Sequence, residues 1–362
     1  MVEARAPYGR RPGQPAGPRA GERGDGRGTA LPPYEGQTYY GLPAIKKSHY
    51  RWLIASYFFV GGMAGAAQVI ATVADLLGSE RDRPVVRNGR YVALVGALAS
   101  PLLLVKDLQT PSRWYNMLRI FRATSPMSSG SWTLAIFGAF SGLTALGQLL
   151  DDLTGGVGRG FTRFFGLPAA LAGALMSFYT GALLAATSVP LWAVGYRRLP
   201  PLFAASAIAT ATAALSLLLP SSARRTAGRR LERLALVASG AQLALGLAAE
   251  RRWKQAGVAG PLEAGPLATA HRLGALGLGT IAPLVVHAVQ LLTGRRSARL
   301  ARLAALATLV GGFVERAVIV FAGNASALRP QDYFRIAQSD TMPSGDGAAA
   351  GLSAGTVEGG RR

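Results

Sequence analysis

Long apolar runs alternate along this chain with short, arginine-rich connections. A helix that crosses a bilayer core needs roughly 20 predominantly apolar residues. Eight runs approach or exceed that length with few or no charges: 52–77, 91–108, 131–150, 167–194, 201–219, 231–250, 268–292 and 300–322. The sixth is the shortest clean run, from Leu234 to Ala249. Connections such as 195–200 and 293–299 can join only antiparallel neighbours. The pattern predicts an all-α integral membrane protein with about eight transmembrane helices in an up-and-down bundle, both termini on one side. Residues 1–36, basic and rich in Gly and Pro, have no apolar period and are expected to be a disordered tail. Residues 37–338 are expected to form the membrane domain and 339–362 a flexible C-terminal tail. Arg10-Arg11 lacks the closely following apolar stretch of a twin-arginine leader.

Composition changes this picture in few places. The chain has 39 Lys and Arg against 18 Asp and Glu, a formal net charge of +21. These cations sit mainly at span ends and in loops, within reach of headgroups. No segment interleaves basic and aromatic residues on a soluble face, which argues against nucleic acid as a partner. Cysteine is absent, so Cys-ligated iron–sulfur clusters and Cys-based zinc sites are excluded from this chain. Of the three His, His271 and His287 share one span, whereas paired haem ligands come from facing helices; no metal site is expected. The short loops opposite the termini carry more arginine than those on the terminal side, which places the termini outside in a bacterial inner membrane. Lys46, Lys47 and Arg51 pull the other way.

Ionisable and polar residues within spans normally face the bundle or a cavity. In span 1, Tyr57, Gly61, Gly65, Gln68, Thr72 and Asp75 recur at helical spacing on one face. The glycines suit a helix–helix seam; Gln68 and Asp75 suit a seam or a polar cavity. Span 8 carries Glu315 and Arg316, which point about 100° apart and are expected to find partners on other helices. They read either as a structural ion pair or as a proton-path carboxylate with a cation for an anionic ligand. Span 2 ends in Lys106-Asp107, and Pro101 is expected to bend it. Between Thr110 and Ser131, a Thr cap, Pro111 and the apolar Trp114, Met117, Leu118 and Phe121 predict an amphipathic helix in the interface plane. Arg113, Asn116 and Arg119 fall on its other side. The segment suits an interfacial anchor or a subunit docking surface.

Several motifs in order resemble the NrfD-like family, the membrane subunits of polysulfide reductases and related molybdopterin- and cytochrome-linked complexes. They are Tyr40-Gly41-Leu42-Pro43; the Phe58-to-Gly65 stretch; Asp107-Leu108-Gln109-Thr110-Pro111-Ser112-Arg113; Asn116-Met117-Leu118-Arg119; Thr124-Ser125-Pro126-Met127 through Trp132; and Arg316 with the Ala322-to-Ala327 stretch. The resemblance runs from about Tyr39 to Arg335. It implies a metal-free eight-helix subunit that docks an iron–sulfur (ferredoxin-like) subunit, itself joined to a catalytic molybdopterin or cytochrome subunit. Electrons would pass between the partner's clusters and a membrane quinone, menaquinone or ubiquinone. Family members acting on quinone have a pocket Tyr in span 4, matched by Tyr179, and an Asn and a His early in span 1, where this sequence has Ile54 and Tyr57. His49, two turns earlier, is another imidazole near that end. The resulting quinone set is Tyr57, Tyr179, Asp107, Arg113 and Arg316. The proton-path candidates are Asp75 and Glu315, and the docking candidates are Asn116, Arg119, Arg122, Ser125 and Pro126. The alternatives are a structural anchor without quinone chemistry and a secondary transporter; no internal repeat between the halves supports the latter.

Overall fold

The computed structural model describes residues 45–294 and 297–337. Both expected tails and the Tyr40-Gly41-Leu42-Pro43 motif lie outside the described residues. Eight helices are long and apolar enough to cross a membrane, and no strand occurs among the described residues. They are α1 Trp52–Leu77, α2 Arg83–Asp107, α3 Pro126–Thr154 and α4 Arg159–Ala185. After them come α5 Leu199–Leu218, α6 Ala227–Gln255, α7 Gly265–Thr293 and α8 Ala298–Ala327. Most extend beyond the apolar runs, and caps bound some of them. Ser125 Oγ accepts the Ser128 N–H and Pro126 opens α3, while Gly155, at φ 69°, closes it. Ser297 caps α8 in the same way.

The helices form two rings of four. In the first, α1 packs on α2 and α4, and α3 completes the circuit; in the second, α5, α6, α7 and α8 repeat that order. The rings meet where α1 touches α5 and α8, and where α4 touches α5. Because each half has four spans, α1 and α5 run in the same direction. Large apolar side chains such as Val95, Leu98, Leu102, Leu171 and Leu175 remain exposed around the outside, forming the surface that a bilayer covers.

In the first ring, α1 and α4 approach closely. A Cβ on Gly65 would sit 2.2 Å from the Gly173 carbonyl oxygen, and one on Gly173 would sit 2.6 Å from that of Gly65. The expected glycine seam is therefore a backbone-to-backbone approach. One helical turn on, Ser177 Oγ donates to the Gly62 carbonyl at 3.1 Å and to the Gly173 carbonyl at 3.0 Å.

Two expectations are corrected. The run 167–194 is not one span: α4 stops at Ala185 and Pro190–Val194 is a separate short helix. Pro190 cannot continue the preceding helix, and Trp192 is fully buried, its Nε1 donating to the Ile319 carbonyl at 2.8 Å. Trp253 Nε1 donates to the Leu191 carbonyl at 2.8 Å, so α6 and α8 both grip this linker. The 110–131 segment is not one amphipathic helix. It holds a 3-10 turn, Pro111–Arg113, and a single turn, Asn116–Arg119, and Thr110 makes no side-chain cap. Trp114, Tyr115, Ile120 and Phe121 are exposed; without packing, so short a helix does not propagate. Span 7 is present as expected, and within it Ala270–Ile281 is wound as a π-helix in which Thr280 Oγ1 donates to the Ala275 carbonyl at 3.0 Å.

A last helix, Pro330–Ala337, folds back on the terminal face. Arg335 Nη1 donates to the Gly257 carbonyl at 2.7 Å, and Arg329 Nε lies 3.4 Å from Asp332 Oδ2. Asp332 is 0% exposed, and burial pushes its carboxyl above the ordinary 3.8, against the pull of Arg329 and Arg335. A raised carboxyl in the folded state makes stability fall as pH rises from the unfolded value through the folded one. Asp332→Asn is therefore expected to raise the thermal midpoint at neutral pH, with the gain vanishing as the pH drops below about 4; equal gains at both pH values would show that the charge is not the cause. Gly65→Val is expected to cost about 1–3 kcal/mol by overpacking, read as a lower unfolding midpoint of the purified chain in detergent.

Candidate functional site

At the terminal face of the first ring, Tyr57 and Gly61 of α1 meet Ser100 of α2 and Met176 of α4. A Cβ on Gly61 would lie 3.1 Å from Met176 Cε, 3.3 Å from Ser100 Oγ and 3.6 Å from Tyr57 Cε2. Tyr57 is 3% exposed, and its hydroxyl has no hydrogen-bond partner among the described residues. Ser100 Oγ is buried and also unpartnered. Tyr179, one turn beyond Met176, donates its hydroxyl to the Pro126 carbonyl in the first turn of α3. Its ring occupies the space where a side chain at position 130 would go, which is why that position is Gly130. Tyr50, Tyr57 and Tyr179 are close enough to interact electrostatically. Burial, and then the Asp107 carboxylate, push the Tyr50 phenol above its ordinary value. Asp107 in turn lies near His49 and Arg51.

The other quinone candidates are spread out. Arg113 is exposed in the loop, as are Asn116, Arg119 and Arg122; Ser125 is half-buried and Pro126 exposed at the start of α3. Ser128 Oγ ties this loop together, accepting the Arg122 N–H at 3.0 Å and donating to the Ile120 carbonyl at 3.2 Å. Arg316 is 2% exposed in the second ring. Its Nη2 donates to the Phe203 carbonyl at 2.8 Å, and its guanidinium lies 3.8 Å from the Phe203 ring centroid. Phe203 leads through Phe58 to Tyr57, with ring centroids 6.3 and 5.6 Å apart. Two aromatic rings, Phe203 and Phe58, thus lie between Arg316 and Tyr57.

Glu315 and Arg316 do pair with each other, Nη1 to Oε2 at 3.1 Å, despite their angular separation. Long, flexible side chains close an angle that Cβ directions leave open. Glu315 also accepts from Gln242 Nε2 of α6 at 3.3 Å. His271 of α7 adjoins this group, its Nε2 3.7 Å from Glu250 Oε2, too long for a hydrogen bond. Gln242 Oε1, both His271 nitrogens and Arg316 Nε are buried without partners, an arrangement that suits ordered water.

Asp75 lies at the other end of α1. Arg90 Nη2 holds it at 2.9 Å and Arg163 Nε at 3.4 Å. Arg90 also donates to Gln148 at 2.7 Å, and Gln148 to Asp152 at 2.8 Å. A cavity of about 510 Å³ opens beside these groups on the face opposite the termini. From it, Thr72 and Gln68 continue along α1, both buried, with Gln68 Nε2 donating to Thr72 at 3.3 Å and Thr72 to the Gly166 carbonyl at 3.2 Å.

Sequence reading missed Ser100, Tyr50, Gln242 and His271 as site members. Ser100 stands beside the noted Pro101, and Gln242 is the one amide in an otherwise apolar run, so both had a visible cue. Removing the charge of one partner in the Glu315–Arg316 pair leaves the other buried and uncompensated. Arg316→Leu is expected to cost about 3–5 kcal/mol, and Arg316→Leu with Glu315→Leu to recover much of that loss, both read from unfolding midpoints in detergent. Equal losses in the single and double variants would refute a buried pair.

A family model described as polysulphide reductase, NrfD, matches residues 44–327, which include all eight long helices. No curated protein matches the chain. With more than half its length matched, and with eight apolar helices of the required length, the chain belongs to the NrfD polysulphide reductase family, the multi-pass membrane subunits of polysulfide reductase-type complexes.

Proposed function

We propose that this subunit passes electrons between a docked iron–sulfur subunit and membrane quinone, with Tyr57 and Tyr179 holding the quinone. The observation that carries this reading is the buried junction of α1, α2 and α4, where the Tyr57 ring and the unpartnered Ser100 Oγ both flank Gly61. A quinone carbonyl is an acceptor only, so unsatisfied hydroxyl donors fit it. Tyr179 joins them by exchanging the Pro126 carbonyl for a quinone oxygen. That exchange links the site to the loop carrying Arg113, Asn116, Arg119, Arg122, Ser125 and Pro126, which is the docking surface of this reading. Its exposed Trp114, Tyr115, Ile120 and Phe121 supply apolar anchors and its arginines supply charge. The partner's catalytic subunit, a molybdopterin or cytochrome protein, stays beyond the membrane domain on the side of the termini, which are outside.

Quinone reduction takes up electrons and protons in equal number, and a tyrosine phenol does not release a proton near neutral pH. Protons therefore need another route. Asp75, Thr72 and Gln68 form a polar line from the opposite face toward Tyr57, about 27 Å at the helical rise. Glu315, with Gln242 and His271, gives the second ring its own proton-active cluster, and Arg316 faces the tyrosines across Phe203 and Phe58. Asp107 with His49 and Arg51 supplies a titratable group at the near face.

In the assembled complex, Tyr57→Phe and Tyr179→Phe are expected to slow quinone-linked turnover about 10- to 1,000-fold, the range for losing a positioned hydrogen bond. Assembly and turnover with an artificial soluble electron acceptor should persist. Unchanged quinone turnover in both variants would leave the subunit as an anchor rather than a quinone site.

A further inference from the structure

A second built recess lies on the face opposite the tyrosines, in the second ring. The turn between α5 and α6, the end of α7 and the first turn of α8 enclose a cavity of about 390 Å³. Arg224, Arg225 and Arg302 line it, and the described lining holds a single carboxylate, Glu232. None of the three arginines forms an ion pair with another described residue. Two helix starts border the cavity, that of α8 already capped by Ser297 Oγ on the Leu300 N–H. Gly228, in the first turn of α6, and Ala298 and Ala301, in the first turn of α8, belong to the wall. Thr226, which precedes α6, makes no side-chain cap, so amide donors of that turn remain available. Independently of these cations, His287 lines the same cavity about two turns inside α7; it is 9% exposed, and its Nδ1 is buried without a hydrogen-bond partner.

Guanidinium groups, helix N-termini and an imidazole N–H are the donors that recognise a multi-oxygen anion. A carboxylate ligand would use only part of this set. A cationic metal is disfavoured by the arginines. The cavity is larger than one phosphate group needs, and Leu217, Leu219 and Ala305 give it an apolar side where an esterified glycerol fits. We propose that this recess is a binding site for a phosphate-type oxyanion, carried by an anionic phospholipid headgroup or by free phosphate. The arginines hold the anion at the mouth, and His287 donates to the oxygen that reaches deepest. The site is independent of the quinone reading, since it shares no residue with the tyrosine cluster.

The test uses the full chain in neutral detergent. Adducts with dioleoyl phosphatidylglycerol and dioleoyl phosphatidylcholine are compared by native mass spectrometry, and inorganic phosphate is titrated against the thermal midpoint. Arg225→Gln with Arg302→Gln removes two exposed cations from the recess; Arg197→Gln with Arg251→Gln removes as many exposed cations from the other face. Selective phosphatidylglycerol adducts, weakened about tenfold or more by the first pair and unchanged by the second, establish the lipid headgroup. A phosphate-dependent midpoint shift lost in the first pair alone, without lipid selectivity, establishes free phosphate. His287→Leu should weaken either ligand with the arginines intact. If wild type binds neither, or if both pairs bind equally well, the proposal is wrong.

Discussion

Lipid offers no hydrogen bonds, so every polar group within a span must be answered from inside the protein or by trapped water. That constraint orders the structure more than any single contact does. Backbones can approach at Gly65 and Gly173 because both helices have already satisfied their own amides. Side-chain hydroxyls such as those of Thr210, Thr212 and Thr308 turn back onto carbonyls of the preceding turn. What cannot be answered locally is collected into a few places: the arginine-held Asp75, the Glu315–Arg316 pair and the tyrosine junction. Some of the buried unpartnered atoms lie at these places, among them Ser100 Oγ, Gln242 Oε1 and Arg316 Nε.

The two rings divide this work. The first joins a charged cavity at one face to a phenolic junction at the other, along a single face of α1. The second keeps its ion pair deep and surrounds it with an amide and an imidazole. Phe58 and Phe203 separate the two polar sets with aromatic rings, which exclude water while offering the Arg316 cation a π face.

Much of this was legible in the chain. Eight apolar runs predicted eight helices, since the period and length of a span follow from bilayer thickness, and the face shared by Tyr57, Gly61, Gly65, Gln68 and Thr72 is buried as spacing implied. The motifs identified the family before any coordinates. Less legible were features decided by tertiary contact. A continuous apolar run concealed the break at Ala185, because Trp192 and its neighbours are apolar for burial against protein rather than against lipid. The amphipathic pattern after Thr110 is real, yet a pattern without a packing surface made only single turns. Pairing of Glu315 with Arg316 depended on side-chain reach, and convergence of Ser100 on Gly61 depended on how two helices cross, neither of which spacing along one chain encodes.

The buried linker at Pro190–Val194 has a consequence for how the chain tolerates change. Connections between structural units are usually where insertions, tags and chain breaks do least harm. Here the middle of the connection between the two rings, residues 189–192, is interior, with Leu191 and Trp192 fully buried and gripped by both α6 and α8. An insertion within residues 189–192 would break the Trp192 contact with the Ile319 carbonyl of α8, and with it a join between the two rings.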